Sequence, residues 1–487
     1  MSKNAAQDGL DPNRWRSLFT IALSQLMVVL DSSIVNIAIP SAKKDLGISD
    51  VNQQWVVTAY TLAFGSLLLL GGRIGDYVGR KKVLIIGLLG FAASSAFGGF
   101  AANQGMLFGA RALQGVFGAL LAPAALALIS ETFTDPKERS KAFGVMGAIS
   151  GGGAAIGLIL GGTLTEFFSW RWCLGVNVPI AIVAGLLASK FVKESKAEGD
   201  RSYDVPGAIT ASAGLFALTY GFSEAARVGW SDAHTITYFV AAVILLVAFV
   251  TIERKVANPM MPIRVVADRN RGGSYLGSLS IGAGLFSMFL FLGIYFQMVL
   301  GYSPLRSGFA FLPFTAGIIF GAGIASNLLP KTGPKPLMIP GLLVSAAGLL
   351  YQSQLTPTSN YLTHIVPSLV LMSVGMAFVF IPLTSTALHA VSHHDTGVAS
   401  AMINTSQQIG GSLGTALLNT VAATATTNFI ASNQKLGEAV QVFGLVHGFD
   451  AAFKVGAGLL VAGAVILFLF INIGKEAVVE TEGVVVH

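Results

Sequence analysis

The feature that most constrains this chain is a series of fourteen apolar runs, each long enough to cross a bilayer. A membrane-spanning helix needs about 20 mostly apolar residues. Helices are favoured for such runs because lipid cannot satisfy exposed backbone polar groups. The runs lie at 17–40, 54–72, 83–103, 107–130, 141–165, 172–192, 205–224, 234–252, 273–299, 307–329, 336–355, 362–383, 397–421 and 454–474. We therefore predict an all-α polytopic membrane protein with 14 transmembrane helices.

The composition agrees with this class and excludes several others. Hydrophobic residues make up 53% of the chain and charged residues only 11%, whereas soluble domains carry about 25% charged residues. The net charge of +6 does not indicate a nucleic-acid partner, because the basic residues are scattered among short loops. The single cysteine, Cys173, excludes an intramolecular disulfide. No phosphate-binding GxxxxGK[ST] pattern and no metal-ligand spacing occurs, so we expect neither a cofactor nor a metal.

The distribution of lysine and arginine predicts the orientation of the chain in the membrane. An even number of spans places both termini on one side. With the N-terminus inside, the inner loops carry about three times as many basic residues as the outer loops, which is the bias that cytoplasmic loops have. We predict cytoplasmic tails at 1–16 and 475–487.

One predicted inner loop, Gly72–Leu84, combines four cations, one acid and three glycines. It can be a positively charged membrane anchor, or a latch that holds one state of an alternating-access transporter. Gly79–Leu89 aligns without gaps to Gly333–Leu343, and the same offset puts Pro330 in the place of Asp76. Parallel repeats are a known transporter plan, so we predict two six-helix bundles, 17–192 and 254–474, with two inserted helices in 193–253. An acid present in one copy favours the latch, and the predicted gate residues are Gly72, Asp76, Gly79, Arg80 and Lys81.

Two charged residues fall inside predicted spans. Asp31 lies in the middle of the first span, and Arg111 lies in the fourth, three residues before Gln114. A charge near the bilayer centre costs at least about 2.5–3.5 kcal/mol on insertion scales and is a functional hypothesis by default. Asp31 can hold two helices together as an ion-pair partner, or it can cycle between protonated and charged forms. We favour a proton-coupling role for Asp31 and Arg111.

Small and uncharged polar residues within the spans complete the candidate site. Glycines four residues apart at Gly153, Gly157 and Gly161 allow close helix approach, and they suit either tight packing or a helix that bends. The polar residues predicted to line a substrate cavity are Asn36, Gln114, Asn404 and Gln407.

Several of these motifs resemble the major facilitator superfamily. Gly72–Leu84 matches its loop motif, with Asp76 and Gly79 in register, and Leu107–Ala119 resembles its fourth-span motif. The segments LDSSIVNIAIP, SWRWCLGVNVPI and GVASAMINTSQQIGGSLGTAL are similar to those of the fourteen-helix drug:proton antiporters. The resemblance implies the major facilitator fold, proton coupling at Asp31 and Arg111, and an antiporter-type motif that ends at Gly161 and Gly162.

The resemblance also implies a function. A chain of this kind would export amphipathic drugs or antibiotics across the bacterial cytoplasmic membrane, with protons as its energy source and no enzymatic activity. We expect it to work as a monomer in the lipid bilayer. Leu158 stands where the antiporter motif usually has proline, which weakens the inference of antiport. The span 307–329 carries no acidic residue, so neutral, zwitterionic or monovalent cationic substrates are expected.

Three alternatives remain open. The same transport mechanism could export one endogenous metabolite or lipid. Gene neighbours or a competition screen would distinguish this case from drug export. It could instead take up a substrate by proton symport, which inside-out vesicles would reveal. A receptor or scaffold would not need Asp31, Arg111 and the charged loop together.

Overall fold

The computed structural model describes residues 11–48, 52, 55–196, 204–256, 259–392 and 395–474. Within these ranges the ordered elements are all helical. The α-helices are α1 (Arg14–Leu46), α2 (Trp55–Val78), α3 (Arg80–Gly99), α4 (Gln104–Thr132), α5 (Pro136–Phe167), α6 (Trp172–Gly175), α7 (Asn177–Phe191), α8 (Val205–Val228), α9 (Ala233–Glu253), α10 (Ile263–Ala267), α11 (Arg269–Ile294), α12 (Pro304–Ala310), α13 (Leu312–Thr332), α14 (Lys335–Gln352), α15 (Val366–Ala387), α16 (Thr396–Ser432) and α17 (Val440–Phe470). Short π-helical segments, Tyr295–Val299 and Tyr361–Ile365, extend α11 and precede α15, and a 3₁₀ segment, Gln434–Ala439, precedes α17.

Each of the fourteen predicted spans falls on a helix or on two consecutive helices. In the described part of the chain, eleven helical stretches are long and apolar enough to cross a membrane by length and composition alone. Three predicted spans, on α5, α14 and α16, are not among these stretches; α16 is rich in small and polar residues, and α14 has Lys335 and Gln352 at its two ends. The chain is a multi-pass membrane protein.

The last helix differs most from its predicted span. The apolar run suggested a start at residue 454, but α17 begins at Val440. Its first turns carry polar side chains, including Asp450, which accepts a hydrogen bond from Lys454 one turn later (2.9 Å). Hydropathy marks the part of a helix that lipid tolerates, and a helix continues beyond that part wherever its own contacts support it.

The helices pack into two groups that meet along two seams. In the first group α1 packs on α5 and α7, and α4 packs on α2 and α3; in the second, α11, α14 and α16 surround α17, and α13 packs on α15. The groups meet where α2 contacts α16 and where α5 contacts α12 and α13. The inserted helices α8 and α9 pack on each other, and α8 contacts both α2 and α16.

The two copies of the predicted repeat share one backbone feature. Gly79 between α2 and α3 has φ +117°, and its counterpart Gly333 between α13 and α14 has φ +78°. Backbone at positive φ strains other residues and suits glycine. Both halves therefore keep the same glycine-dependent turn.

Candidate functional site

Asp31 and Arg111 meet inside the first group of helices. Asp31 of α1 is fully buried, Arg111 of α4 is 1% exposed, and Arg111 Nη1 lies 2.5 Å from Asp31 Oδ2. The guanidinium also donates through Nε to the carbonyl of Val56 (2.9 Å) and lies over the ring of Tyr60, 4.6 Å from its centroid. Removing one partner of a buried pair leaves an uncompensated charge, at a cost of about 3–5 kcal/mol. The pair is thus a strong constraint on how α1 and α4 sit together.

Three neutral side chains complete this cluster. Gln114 Nε2 donates to Asp31 Oδ1 (2.8 Å) and to Ser95 Oγ (2.7 Å), and Gln114 Oε1 accepts from Arg111 Nη1 (2.8 Å). Asn177 Nδ2 also donates to Asp31 Oδ1 (2.7 Å). The carboxylate therefore accepts from three side chains on α4 and α7. A proton placed on Asp31 would remove the charge that Arg111 neutralises and would disturb all three contacts.

The glycines of α5 bring that helix against α1 beside Asp31. A methyl group at Gly157 would lie 1.9 Å from Ser33 Oγ and 3.0 Å from the carbonyl oxygen of Leu30. Methyl groups at Gly153 and Gly161 would also contact α1, at 2.8 Å from Val29 Cγ1 and 2.9 Å from Ile34 Cγ1. A methyl group at Gly162 would instead lie 3.0 Å from Leu305 Cα in α12 of the second group. Small residues at this spacing allow such contact.

The departure from the antiporter-type motif lies in α5, which has no proline at that position. Leu158 stands in the place of the usual proline, and α5 runs as one continuous helix from Pro136 to Phe167. Leu158 packs against the apolar core. The close approach to α1 is thus built without a proline inside the helix.

The predicted gate residues lie where α2 meets α16. Asp76 is fully buried, and its Oδ1 accepts from Arg80 Nη2 (2.6 Å), from Arg80 Nε (3.1 Å) and from the backbone N–H of Gly397 (3.1 Å). Gly397 lies in the first turn of α16, where backbone N–H groups lack helical partners and attract anions. A methyl group at Gly72 would lie 2.6 Å from the carbonyl oxygen of Gly397. The contact thus joins the two halves directly.

Arg80 links Asp76 to the rest of the first half. It forms an ion pair with Glu131 at the end of α4 and donates to Ser195 Oγ (2.9 Å) after α7. Glu194 accepts from the backbone N–H of Lys81 (3.0 Å), and a methyl group at Gly79 would lie 2.7 Å from that carboxylate. Arg80 is only 1% exposed. The turn after α2 is therefore fixed by side chains from two other segments.

A second charged contact crosses between the halves at the same end. Arg73 Nη1 lies 3.8 Å from Asp395 Oδ1, and Arg73 Nη2 donates to the carbonyl of Pro259 (2.8 Å). Arg264 donates to Asp395 Oδ2 (2.8 Å). We call this set, Arg73, Asp76, Arg80, Glu131, Asp395 and Gly397, the latch cluster, and its side of the molecule the latch end.

A small cavity lies between the halves, toward the latch end from Asp31. Its volume is about 40 Å³, whereas drug-sized ligands occupy pockets of roughly 300–1,000 Å³. Asn404 and Gln407 line it, together with Gln25, Leu126, Phe143, Met146, Gly147, Phe380, Thr384 and Ile403. Uncharged polar groups and aromatic rings are what amphipathic ligands contact, but the halves must separate before such a ligand fits.

One residue predicted to line the cavity lies elsewhere, and the side chain of another is outside the described part of the chain. Gln114 is fully buried in the Asp31 cluster, because its amide satisfies both the acid and Arg111. The backbone of Asn36 lies in α1, but its side chain is outside the described part of the chain. Gln25 lines the cavity instead.

The sequence comparisons agree with this architecture. Residues 21–415 match the family model described as Major Facilitator Superfamily. The chain belongs to the major facilitator superfamily. It is similar to the puromycin resistance protein pur8 of Streptomyces alboniger, with 48% identity across 98% of this chain and 95% of that protein. It is also similar to the cephamycin export protein CmcT of Amycolatopsis lactamdurans, with 37% identity across 84% of this chain and 85% of that protein.

A solved structure shows the same fold. The proton:xylose symporter XylE, a major facilitator superfamily protein, superposes with a TM-score of 0.65 at 13% identity, over 96% of this chain and 98% of that chain. At this identity the likeness concerns the fold alone. As a member of this superfamily, the chain is a secondary transporter and not an enzyme.

Sequence reasoning missed several residues of the site. Asn177 and Ser95 are uncharged residues within apolar runs, and only the fold places them against Asp31. Glu131 follows directly after an apolar run in the sequence, and only the fold shows that it is a partner of Arg80. Asp395 could have been suspected, since it directly precedes the first turn of α16.

Proposed function

We propose that this protein exports small amphipathic antibiotic-like compounds from a bacterial cytoplasm, driven by protons that move inward. The names of two relatives, one a puromycin resistance protein and one a cephamycin export protein, support export as the direction. Among the described residues, those that line the cavity include no charged side chain, which supports neutral, zwitterionic or monovalent cationic substrates. The transporter works as a monomer.

The observation that carries the proton-coupling proposal is the buried pair of Asp31 and Arg111. The carboxylate of Asp31 is fully buried and accepts hydrogen bonds from Arg111, Gln114 and Asn177. Protonation breaks its ion pair with Arg111 and frees α1 to move against α4 and α7. Because α5 packs on α1 through Gly157 and on α12 through Gly162, that movement reaches the second half of the protein.

The orientation follows from charge. The latch end carries Arg14 at the start of α1 and the basic loop after α2, and basic residues of this kind favour the cytoplasmic side. We therefore place the latch end and both termini in the cytoplasm. In this orientation the latch cluster closes the cytoplasmic entrance, and its opening admits substrate.

The test uses energised inside-out vesicles that contain the protein, a puromycin probe and an internal pH dye. We expect accumulation of puromycin together with proton release from the vesicle interior. The variant Asp31→Asn should bind puromycin but release no protons. The same proton release from Asp31→Asn would refute the coupling role, and depletion of puromycin from the vesicles would refute export.

A second candidate is export of one compound rather than many. It is favoured by the two relatives, each of which is named for a single antibiotic. A panel of competing compounds in the same vesicles separates the cases. Few compounds should inhibit puromycin transport by a dedicated exporter, whereas many should inhibit transport by a broad one.

A further inference from the structure

Two acidic residues face each other at the latch-end base of the inserted helices. Asp204 immediately precedes α8 and is 7% exposed; Glu253 is the last residue of α9 and is 4% exposed. Asp204 Oδ1 accepts from the backbone N–H of Gly207 (2.9 Å), and Glu253 Oε2 accepts from the backbone N–H of Met261 (2.9 Å). Each carboxyl group thus has one oxygen engaged with the backbone.

The other oxygen of each group is buried and has no hydrogen-bond partner among the described residues. A methyl group at Gly207 would lie 2.1 Å from Asp204 Oδ2 and 2.9 Å from Glu253 Oε1, so both oxygens face the same small space. These two distances place the two oxygens within about 5 Å of each other. Buried polar groups are nearly always hydrogen-bonded, and two carboxylates at such a distance cannot both ionise without strong repulsion. One proton shared between the two oxygens supplies the missing hydrogen bond and removes the repulsion between two negative charges.

No cation neutralises this pair in the described part of the chain. The packing around it is apolar, with Leu69, Phe249, Met260, Val398 and Ala401 in one buried cluster. A lone pair of acids in such surroundings binds a proton more readily than it stays doubly charged.

The charged groups on the neighbouring elements are engaged elsewhere. Arg73 of α2 and Arg264 of α10 both contact Asp395, which precedes α16. Arg254 and Lys255, which follow Glu253, are exposed to solvent. Asp76 at the end of α2 pairs with Arg80 at the start of α3.

We propose that Asp204 and Glu253 share one proton and form a second proton-binding site, separate from Asp31, that stabilises the closed latch. The link is a short run of contacts. Glu253 Oε2 accepts a hydrogen bond from the backbone N–H of Met261 (2.9 Å). Two residues earlier, the carbonyl of Pro259 accepts a hydrogen bond from Arg73 (2.8 Å). Loss of the shared proton leaves two anions that repel each other, which moves this segment and weakens the position of Arg73 beside Asp395.

The proposal is independent of the direction of transport and of the coupling role of Asp31. Its test therefore uses the Asp31→Asn protein, purified as the full chain in nanodiscs. Infrared spectroscopy follows the C=O band of protonated carboxyl groups as the pH is raised. We expect a titrating band that is lost in Glu253→Gln and also in Asp204→Asn, because either change removes the shared proton. Asparagine can still cap α8, so Asp204→Asn provides a second variant if Glu253→Gln does not fold.

The matched control is Glu224→Gln. Glu224 lies on α8 near its other end and pairs with Arg227 (2.6 Å), away from Asp204 and Glu253, so its variant should keep the band of the shared proton. A second readout is the distance across the latch end, from spin labels on cysteines that replace Lys82 and Lys331 in a Cys173→Ser background. This distance should change with pH in the parent and lose that change in Glu253→Gln. A carboxyl band that is unchanged in both acid variants would overturn the proton site, and an unchanged pH response of the distance would overturn its link to the latch. Failure of proton release in the vesicle assay bears on Asp31 alone.

Discussion

The variant Asp76→Asn tests whether the latch cluster controls the separation of the two halves. Asp76 engages its neighbours through one oxygen, Oδ1, which accepts from Arg80 and from the N–H of Gly397. Oδ2 has no hydrogen-bond partner in the described part of the chain. Asparagine can keep its carbonyl oxygen at the position of Oδ1 and lose only the charge. The variant therefore changes the strength of the contact between the halves with little change of shape.

The size of the effect follows from what is lost on opening. The pairing with Arg80 lies within the first half and persists in both states, whereas the bond from Gly397 exists only in the closed state. A hydrogen bond to a charged group contributes about 1.5–3 kcal/mol, and a neutral one about 0.5–1.5 kcal/mol. The closed latch should lose about 1–2 kcal/mol, which corresponds to a shift of about 5- to 30-fold toward the open state, since about 1.4 kcal/mol is tenfold.

The shift is measured as the distance distribution between spin labels at positions 82 and 331, which are exposed on opposite halves of the latch end. Glu138→Gln is the matched control, because Glu138 pairs with Arg14 (2.7 Å) at the same end but within the first half. We expect Asp76→Asn to increase the long-distance population and Glu138→Gln to leave it unchanged. Equal distributions in wild type and Asp76→Asn would reduce the basic loop to a membrane anchor, and equal shifts in both variants would make the effect one of general destabilisation.

Three further predictions concern other contacts. Arg111→Ala should abolish pH-dependent transport, because it removes the cation beside Asp31 (2.5 Å); a wild-type pH profile in vesicles would exclude Arg111 from the mechanism. Gly157→Ala should lower the free energy of unfolding by about 1–3 kcal/mol through overpacking, since its methyl group would lie 1.9 Å from Ser33 Oγ, and the melting temperature should fall. Gly185→Ala is the control, because its methyl group would meet no described atom within 4 Å, and it should leave the melting temperature unchanged. Hydrogen bonds from Arg171 and Trp170 hold the pKa of Asp45 below its ordinary value of 3.8. The stabilisation from Asp45 should therefore be present above pH 3.8 and be lost as the pH falls through the lowered pKa, and Trp170 fluorescence should follow that loss in wild type but not in Asp45→Asn.

Sequence reasoning located the helices because lipid imposes a simple rule on length and polarity. It located Asp31 and Arg111 for the same reason, since a charge within an apolar run is conspicuous. It could not find Asn177, whose amide is unremarkable in the sequence and meets Asp31 only through the packing of α7 on α1. It could not place Gln114 either, because a helical neighbour of Arg111 can face the cavity or the acid, and the choice depends on α1.

The partners of the basic loop were hidden by distance along the chain. Asp76 and Arg80 are one helical turn apart and could be paired from the sequence. Gly397 is 321 residues from Asp76, and a glycine has no side chain that would suggest a role. Its N–H acts as a partner because it lies in the first turn of α16, where backbone donors are unpaired within the helix.

The second repeat lacks the acid, and the contacts between the halves differ accordingly. The turn after α13 keeps its positive-φ glycine, Gly333, so the repeat preserved the backbone while losing the charge. The seam equivalent to α2 and α16 is the one between α13 and α5, and there the halves meet through small residues: a methyl group at Gly144 would lie 2.9 Å from Ser326 Oγ. One seam at the latch end is thus held by buried charges and the other by close packing. Charged contacts respond to protons and to neighbouring charges, whereas packing of small residues does not. We therefore expect the latch end to open along α2 and α16 with α5 and α13 as the pivot, and we expect Asp76 to act as a gate residue as well as a topological signal.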